Sequence, residues 1–242
     1  MFWLTDKVRR NVLVSTDQGY LLVNRFDQGV SGQSLLSHGQ AQTLDVDFCF
    51  ESLTKRNNLN PVIFDIGAGT GTFTTWQAKV FGQSRIYCFE PQHAVFQLLA
   101  ANVALNNLYN VRTYNLAIGA EHTRLEYPEP DYFAEHDFGK FSLTNNRGME
   151  CIEQTVSVEA ITVDSFVELH KITSLDFLKI TTNGMDVDVL RGAEQCLARF
   201  HPVIYMDYIP AGPDENRTDI VAILESHNYD FKGTDTHKIL AV

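Results

Sequence analysis

The sequence has little cysteine, and its few thiols follow no recognisable pattern. Four cysteines occur among 242 residues, far apart at Cys49, Cys88, Cys151 and Cys196. Metal sites and disulfide frameworks use regularly spaced cysteines, so neither is predicted and no metal is expected. Free thiols buried in the core of a protein from a reducing compartment are the simplest interpretation.

Basic residues and long apolar runs are also scarce. Lysine and arginine total 19 against 30 aspartates and glutamates, and the formal net charge is -11. Such a chain repels the phosphates of nucleic acid, so no nucleic-acid partner is expected. No apolar run is long enough to span a bilayer, and residues 1–4 meet Asp6 too early for a secretory leader. We therefore expect a cytoplasmic protein with one sizeable core.

What the sequence does contain is a strand, a glycine turn, a helix and a second strand in close succession. Residues 62–64 form an apolar run typical of a buried strand, and residues 65–71 hold three glycines. Residues 72–81 have helical spacing, and residues 85–89 form a second apolar run that ends at Glu90. This order predicts a βαβ unit shaped for a nucleotide-like ligand, with the terminal acid accepting from the two ribose hydroxyls.

The spacing of the glycines narrows the choice of ligand. Gly67, Gly69 and Gly71 form G-x-G-x-G, whereas the dinucleotide fingerprint needs a glycine at the position of Thr72. Asp65 stands two residues before the first glycine, where a carboxylate repels a pyrophosphate but suits a cationic ligand or an ammonium group. This spacing resembles the first motif of class I S-adenosylmethionine (SAM) methyltransferases. A glycine turn that serves only the strand-to-helix connection is the alternative.

The rest of the chain alternates strands with helices. This alternation predicts an α/β sheet. The resemblance of the glycine motif implies a Rossmann-like fold of the class I methyltransferase type, with a mostly parallel, doubly wound sheet. We expect residues 1–60 to form a small N-terminal cover, a hairpin and a helix capped by Thr43, joined by a polar link at residues 27–38. We expect residues 61–242 to form the SAM-binding domain, with an irregular excursion or hairpin at residues 121–158.

Further elements of the large domain follow from apolar periodicity. They are predicted as a helix that begins at Pro91 and ends at Asn106, strands at 110–117, 174–181, 201–207 and 238–242, and helices at 185–200 and 219–227. Ligands of doubly wound sheets bind at the carboxyl ends of the strands. The backbone of Ala117 is therefore expected beside the adenine, and Asp207 is expected on the same rim.

Ordered segments between Gly32 and Asp207 match one family pattern. They are Ser31-Gly32-Gln33-Ser34-Leu35, His38-Gly39, Phe64-Asp65-Ile66-Gly67-Ala68, Phe89-Glu90-Pro91, Asn102, Asn106-Asn107, Phe138-Gly139-Lys140-Phe141-Ser142-Leu143, Asp176-Phe177-Leu178-Lys179-Ile180, Leu190-Arg191-Gly192-Ala193 and Arg199-Phe200-His201-Pro202. Together they resemble the FkbM-type SAM-dependent methyltransferases. The resemblance implies SAM as cofactor and methyl transfer to hydroxyl oxygens of sugars or small natural products. Its cofactor-binding positions are Asp65, Gly67, Ala68, Gly69, Gly71, Glu90, Pro91 and Ala117.

The second signature of that family is altered here. After Ile180 the family usually carries Asp-x-Glu-Gly-x-Glu, and this chain has Thr181 and Asn183 at the first two acidic positions. Gly184 and a shortened acid, Asp186, remain. This chain thus matches the family pattern better at the cofactor-binding positions than at the acidic positions expected near the acceptor.

Methyl transfer to an alcohol requires a group that accepts the hydroxyl proton. Asp207 is the first candidate for this base, followed by Asp186, Asp137 and His136. Lys179 is expected to orient the substrate or to pair with one of these acids. For each residue, a solvated charge or a structural ion pair is the alternative.

The sequence therefore predicts a SAM-dependent methyltransferase that modifies an oxygen of a small molecule or glycan. A SAM-binding protein without catalysis is the first alternative, because residues 181–186 have lost acidic side chains. An NAD(P)-dependent oxidoreductase is a weaker alternative, because Thr72 replaces the third glycine of its fingerprint.

Overall fold

The fold comes from a computed structural model. It describes residues 9–17, 19–40, 44–144, 149–207, 214–233 and 238–242. In chain order the elements are β1 (Asn11–Thr16), β2 (Gly19–Asn24), α1 (Val30–His38), α2 (Leu44–Lys55), β3 (Val62–Ile66), α3 (Thr72–Val80), β4 (Arg85–Phe89), α4 (His93–Leu105), β5 (Val111–Tyr114), β6 (Ala117–Ile118), β7 (Thr123–Pro130), β8 (Cys151–Ile161), α5 (Val163–Leu169), β9 (Phe177–Ile180), α6 (Asp186–Arg191), α7 (Glu194–Phe200), β10 (Val203–Asp207), α8 (Asp214–Ser226), β11 (Phe231–Gly233) and β12 (Lys238–Ala241).

The central sheet has the order β5-β4-β3-β9-β10-β12-β11 in the described part of the chain. Strands β3, β4, β5, β9 and β10 run parallel, and β12 runs antiparallel to both of its neighbours. Every residue of β3 is buried, as expected for a strand covered by helices on both faces. The predicted α/β, Rossmann-like, doubly wound fold is confirmed.

Side chains of successive strand residues build two cores, one on each face of this sheet. Phe64 packs with Phe89 and Phe166 on the face covered by α5 to α8. Ile63 packs on the opposite face with residues of α2 and α3, among them Leu53 and Phe73. This alternation follows from the two-residue period of a strand.

Two smaller units cover one edge of the sheet. Strands β1 and β2 form an antiparallel hairpin that packs on α1 through Leu21, Val23 and Leu35. Strands β7 and β8 form a longer hairpin, to which β6 adds in parallel, so the predicted excursion is a hairpin. The hairpins meet where the Asn24 side chain donates to the Tyr132 carbonyl at 2.9 Å.

The side chain of Asn102 ties the N-terminal hairpin to the large domain. Its Oδ1 accepts from the Leu22 N–H at 2.6 Å, and its Nδ2 donates to the Leu22 carbonyl at 3.0 Å. The same Nδ2 donates to the Thr70 carbonyl at 2.8 Å. One buried amide of α4 therefore holds both β2 and the glycine turn.

Several predicted elements have different bounds in the structure. The polar link at 27–38 is wrong, because Val30–His38 is a helix that buries Leu35 and ends at Gly39 in the left-handed conformation. The strand at 110–117 ends at Tyr114, since the Asn115 side chain turns back to the carbonyls of Glu90 and Pro91.

The predicted helix at 185–200 is divided into α6 and α7. Gly192 lies at the break, where a β-carbon would collide with the Gly119 carbonyl. The Asp164 carboxylate then accepts from the N–H groups of Gln195 and Cys196, which begins a new helix. Helix α5 and strand β11 are additional elements that the sequence pattern did not predict.

Other sequence-based expectations have mixed outcomes. Cys49, Cys88 and Cys196 are buried free thiols, as predicted, and Cys151 is a half-buried free thiol. None of the helices within the described ranges has both the length and the apolar character needed to cross a membrane. Thr43 lies outside the described residues, and the domain boundary after residue 60 stays a prediction.

Candidate functional site

A cavity of about 300 Å³ lies at the carboxyl ends of β3, β4 and β9. Its floor includes the glycine turn and Lys179, and its cover comes from the two hairpins, through Asn24 and Tyr132. This is the edge of a doubly wound sheet at which ligands bind, and the volume lies at the small end of the range for ligand pockets.

The glycine turn presents bare backbone to this cavity. Gly67, Ala68 and Gly69 line it, and both glycines have positive φ, 76° and 57°. A β-carbon on Gly67 would collide with the Thr181 carbonyl, whereas one on Gly69 would enter open space. Gly71 has a φ of 86° and caps α3 but does not line the cavity, and a β-carbon there would meet Leu99. Two of the three predicted glycines thus face the ligand space.

Glu90 lies in the cavity wall with its carboxylate fixed by backbone amides. Oε2 accepts from the Gly69 N–H and Oε1 from the Gln92 N–H, each at 2.9 Å. The residue is only 3% exposed. Burial raises the pKa of Glu90 from 4.5 to about 7, and the two amide hydrogen bonds oppose that rise. Each oxygen retains acceptor capacity for a further donor.

Asp65 lies beneath the cavity rather than in its wall. Its carboxylate is fully buried, with Oδ1 2.9 Å from the Lys179 ammonium and Oδ2 2.7 Å from the Thr74 hydroxyl. The expectation that this side chain faces the ligand is therefore not met. Lys179 reaches the cavity but is held by Asp65 and, at 2.7 Å, by Thr181 Oγ1. The pair contributes almost no net charge to the site.

Apolar residues line the part of the cavity next to Glu90. Pro91 and Ala117 both line the cavity, and Ala117 reaches it from the small sheet and not from β5, while their contact with a cofactor stays a prediction. Other apolar side chains in the cavity lining include Leu116, Ile118, Phe141, Leu143 and Met185. A flat apolar ring fits such surroundings.

The predicted catalytic residues are mostly engaged in structural contacts. Asp186 holds the turn that precedes α6, because Oδ1 accepts from the Thr182 N–H and hydroxyl and Oδ2 from the Gly184 N–H. It does not line the cavity. Asp207 is the last residue of β10, where its backbone pairs with Lys238, and its side chain lies outside the described part.

The remaining candidates lie in the excursion or contact it. The Asn183 amide donates to the carbonyls of Gly139 and Phe141, so it clamps the excursion to the end of β9. Asp137 pairs with Lys140 at 3.0 Å. Across the described ranges, no group of three or more His, Cys, Asp or Glu side chains is arranged to hold a metal ion.

A family model described as "Methyltransferase FkbM domain" matches residues 65–241. The chain belongs to the FkbM methyltransferase family. The match begins at the aspartate before the glycine turn and continues to the end of β12. It therefore includes every predicted cofactor and catalytic position.

Two fungal proteins and one crystal structure are similar to this FkbM chain. "Methyltransferase 1" of Beauveria bassiana (strain ARSEF 2860) is 28% identical over 144 residues, which are 54% of this chain and 58% of that protein. "Methyltransferase sdnD" of Sordaria araneosa is 24% identical over 211 residues, 76% of this chain and 78% of that protein. Methyltransferase FkbM from Methylobacillus flagellatus KT superposes with a TM-score of 0.53 at 13% identity. That match covers 76% of this chain and 44% of the other, and it shows the fold alone.

Several cavity residues were missed by the sequence interpretation of this FkbM chain. They come from the N-terminal hairpin and the residue before it, the link after the hairpin and the excursion, and are Arg10, Asn11, Asn24, Asp27 and Tyr132. None belongs to a motif with a chemical meaning of its own. Their role follows only from the meeting of two hairpins that are more than 100 residues apart in the chain, at the Asn24–Tyr132 hydrogen bond.

Proposed function

We propose that this FkbM protein transfers a methyl group from SAM to a hydroxyl oxygen of a small molecule or glycan. Family membership supports methyl transfer, and the surroundings of Glu90 support the cofactor. The observation that carries the proposal is a buried carboxylate beside the glycine turn, held by two backbone amides with acceptor capacity left over. Two vicinal ribose hydroxyls are donors that match such a carboxylate.

The cavity fits the nucleoside part of SAM. The space next to Gly69 is open because glycine has no side chain to fill it, so a ligand is able to approach the backbone closely there. In this proposal Glu90 holds the ribose, while the backbone at Gly67, Ala68 and Gly69 contacts the methionine part. Pro91 and Ala117 border the adenine. Asp65 and Gly71 support this surface from below.

When bound, SAM supplies a methyl carbon that its sulfonium already makes electrophilic. The protein then has to bind the acceptor, align it, exclude water and accept a proton. Alignment alone can lower a barrier by roughly 7–11 kcal/mol. The two hairpins cover the cavity, and the Asn24–Tyr132 hydrogen bond closes them over it. The net charge of -11 supports an acceptor other than nucleic acid.

Calorimetric titration with SAM and S-adenosylhomocysteine tests the cofactor. Transfer of tritium from methyl-labelled SAM to a panel of methyl glycosides, catechols, hydroxy fatty acids and a short RNA tests the acceptor. Micromolar binding and labelling of a hydroxyl compound support the proposal. Absence of SAM binding, or labelling of the RNA alone, contradicts it.

A SAM-binding protein without catalysis is the second candidate. It is favoured by the segment after β9, where the Asn183 amide donates to backbone carbonyls and the Asp186 carboxylate holds the turn before α6. Both side chains thus make structural contacts, and Asp186 does not line the cavity. SAM binding without labelling of any acceptor in the panel supports this candidate over the first.

A further inference from the structure

Few charged side chains line the cavity within the described ranges, namely Arg10, Asp27, Glu90 and Lys179. Glu90 accepts from two backbone amides, and Lys179 is paired with the buried Asp65. With Glu90 assigned to the ribose, Asp27 is the other carboxylate among the described cavity-lining residues, and it is the one available to contact an acceptor. It precedes α1, outside the segments that the family pattern singles out.

The Asp27 carboxylate is held at the junction between the link that follows the N-terminal hairpin and the excursion. Oδ1 accepts from the Gly29 N–H at 2.9 Å. A β-carbon on Gly32 would lie 2.6 Å from Asp27 Oδ2, so only glycine leaves room for the side chain in this orientation. Beside it, Gln28 N–H donates to the His136 carbonyl at 2.7 Å. The carboxylate is therefore preorganised at the cavity wall.

A second carboxylate lies next to it. A β-carbon built on Gly29 would be 2.6 Å from Asp137 Oδ1 and 3.0 Å from Asp27 Oδ1. Burial, and secondarily the charge of Asp137, raise the pKa of Asp27, which makes it a stronger proton acceptor than an exposed aspartate. The other ionisable groups around it are His136 from the excursion, Lys140 paired with Asp137, and Arg10 and Glu90 across the cavity.

An unsatisfied acceptor lies in the same cavity. Asn11 Oδ1 is buried and has no hydrogen-bond partner in the described part of the chain, and Asn11 lines the cavity. Buried polar atoms are normally paired, and a hydroxyl donor on a bound ligand would satisfy this oxygen. A hydroxyl-bearing acceptor supplies such donors to both Asn11 and Asp27.

We propose that Asp27 is the general base for the acceptor hydroxyl, an inference that rests on the proposed oxygen methylation. The acceptor oxygen forms the new bond to the methyl carbon, and the sulfonium sulfur retains the electron pair of the broken carbon–sulfur bond. The hydroxyl proton passes to the Asp27 carboxylate and from there to water. The products are the methyl ether, S-adenosylhomocysteine and a proton.

The test compares Asp27→Asn with wild type, using the panel compound that gives the highest turnover. We expect SAM affinity within about threefold of wild type, because Glu90 and the glycine turn are unchanged. We expect kcat to fall by about 10²–10⁴-fold and to lose its rise with pH, since the proton acceptor is gone. Asp137→Asn should move that rise to lower pH, because a like charge is removed.

Asp164→Asn is the matched control, because the Asp164 carboxylate also accepts from backbone amides before a helix but lies outside the cavity. It should lower stability and keep the wild-type kcat and pH profile. The assignment of the base is overturned if Asp27→Asn keeps the wild-type kcat and pH dependence of kcat. It is also overturned if the pH dependence is lost in Asp207→Asn alone. Absence of methyl transfer by wild type overturns the proposed function as well.

A carbon NMR titration of the Asp27 carboxyl in the wild-type protein covers the case in which Asp27→Asn does not fold. Its midpoint should coincide with that of the kcat profile, and both should move together in Asp137→Asn. Midpoints that differ, or an Asp137→Asn variant whose profile does not move, overturn the proposal.

Discussion

Glu90 should make the stability of the ligand-free protein depend on pH. Its pKa is about 7 in the folded protein, mainly because of burial, and 4.5 is its ordinary value. A carboxyl whose pKa is raised by folding contributes stability that is complete below pH 4.5 and is lost as the pH rises through 7. At about 1.4 kcal/mol per pKa unit, the full loss is about 3 kcal/mol, most of it between pH 5 and pH 8.

The perturbation that isolates this effect is Glu90→Gln, measured by urea unfolding at pH 5, 6, 7 and 8. Glutamine turns an NH₂ group toward one of the two backbone donors, which costs about 1–3 kcal/mol at every pH. That offset is constant, so the stability difference between variant and wild type should change by about 2–3 kcal/mol in favour of the variant from pH 5 to pH 8. A difference that stays constant across this range would refute the assignment of a buried, titrating Glu90.

The same ionisation should govern cofactor affinity in the opposite direction. An ionised carboxylate accepts from both ribose hydroxyls, so the Kd for SAM in wild type should rise by up to tenfold for each pH unit below 7. Glu90→Gln should bind SAM more weakly at pH 8 and show no such slope. Calorimetry at the same four pH values measures both, and a flat wild-type profile would contradict this role.

Three further predictions concern the residues around the site. Lys179→Met should lower the free energy of unfolding by about 3–5 kcal/mol in urea titrations, because it leaves the buried Asp65 carboxylate unpaired. A loss under about 1 kcal/mol would argue against a stabilising ion pair. Gly69→Ala should weaken SAM binding by tenfold or more, because the added methyl group enters the space proposed for the ligand. The left-handed φ of this residue should cost only about 1 kcal/mol of stability. An unchanged affinity in calorimetry would contradict the proposed position of the cofactor. Asn102→Ala should lower the free energy of unfolding by about 2–4 kcal/mol, because three hydrogen bonds are lost. It should also speed proteolytic cleavage in the N-terminal hairpin. A wild-type cleavage rate would show that these hydrogen bonds do not hold the hairpin on the large domain.

The βαβ unit could be predicted from the sequence because its signals are local. A buried strand, a glycine turn and an amphipathic helix each show within ten residues, and the bounds of β4 agree with prediction. The position of Glu90 follows from the same short stretch.

The orientation of Asp65 could not be predicted from that stretch. The ammonium that pairs with it belongs to Lys179, 114 residues later, and this partner turns the carboxylate away from the cavity. Similarly, the break between α6 and α7 depends on the approach of Gly119 to Gly192. Residue type and spacing predict what a side chain is able to do, while distant neighbours decide which contact it makes.

The ion pair between β3 and β9 also fixes how these two strands align. Asp65 and Lys179 are directly opposite each other in the parallel ladder between the strands, and both are buried. Sliding one strand along the other by two residues would keep the apolar faces matched but leave two buried charges apart, at several kcal/mol each. Two strands with only apolar side chains at these positions would tolerate such a shift at a lower energetic cost than strands that carry this ion pair. The pair therefore favours the observed register of β3 and β9 over a shifted one, at the strand ends that carry the glycine turn.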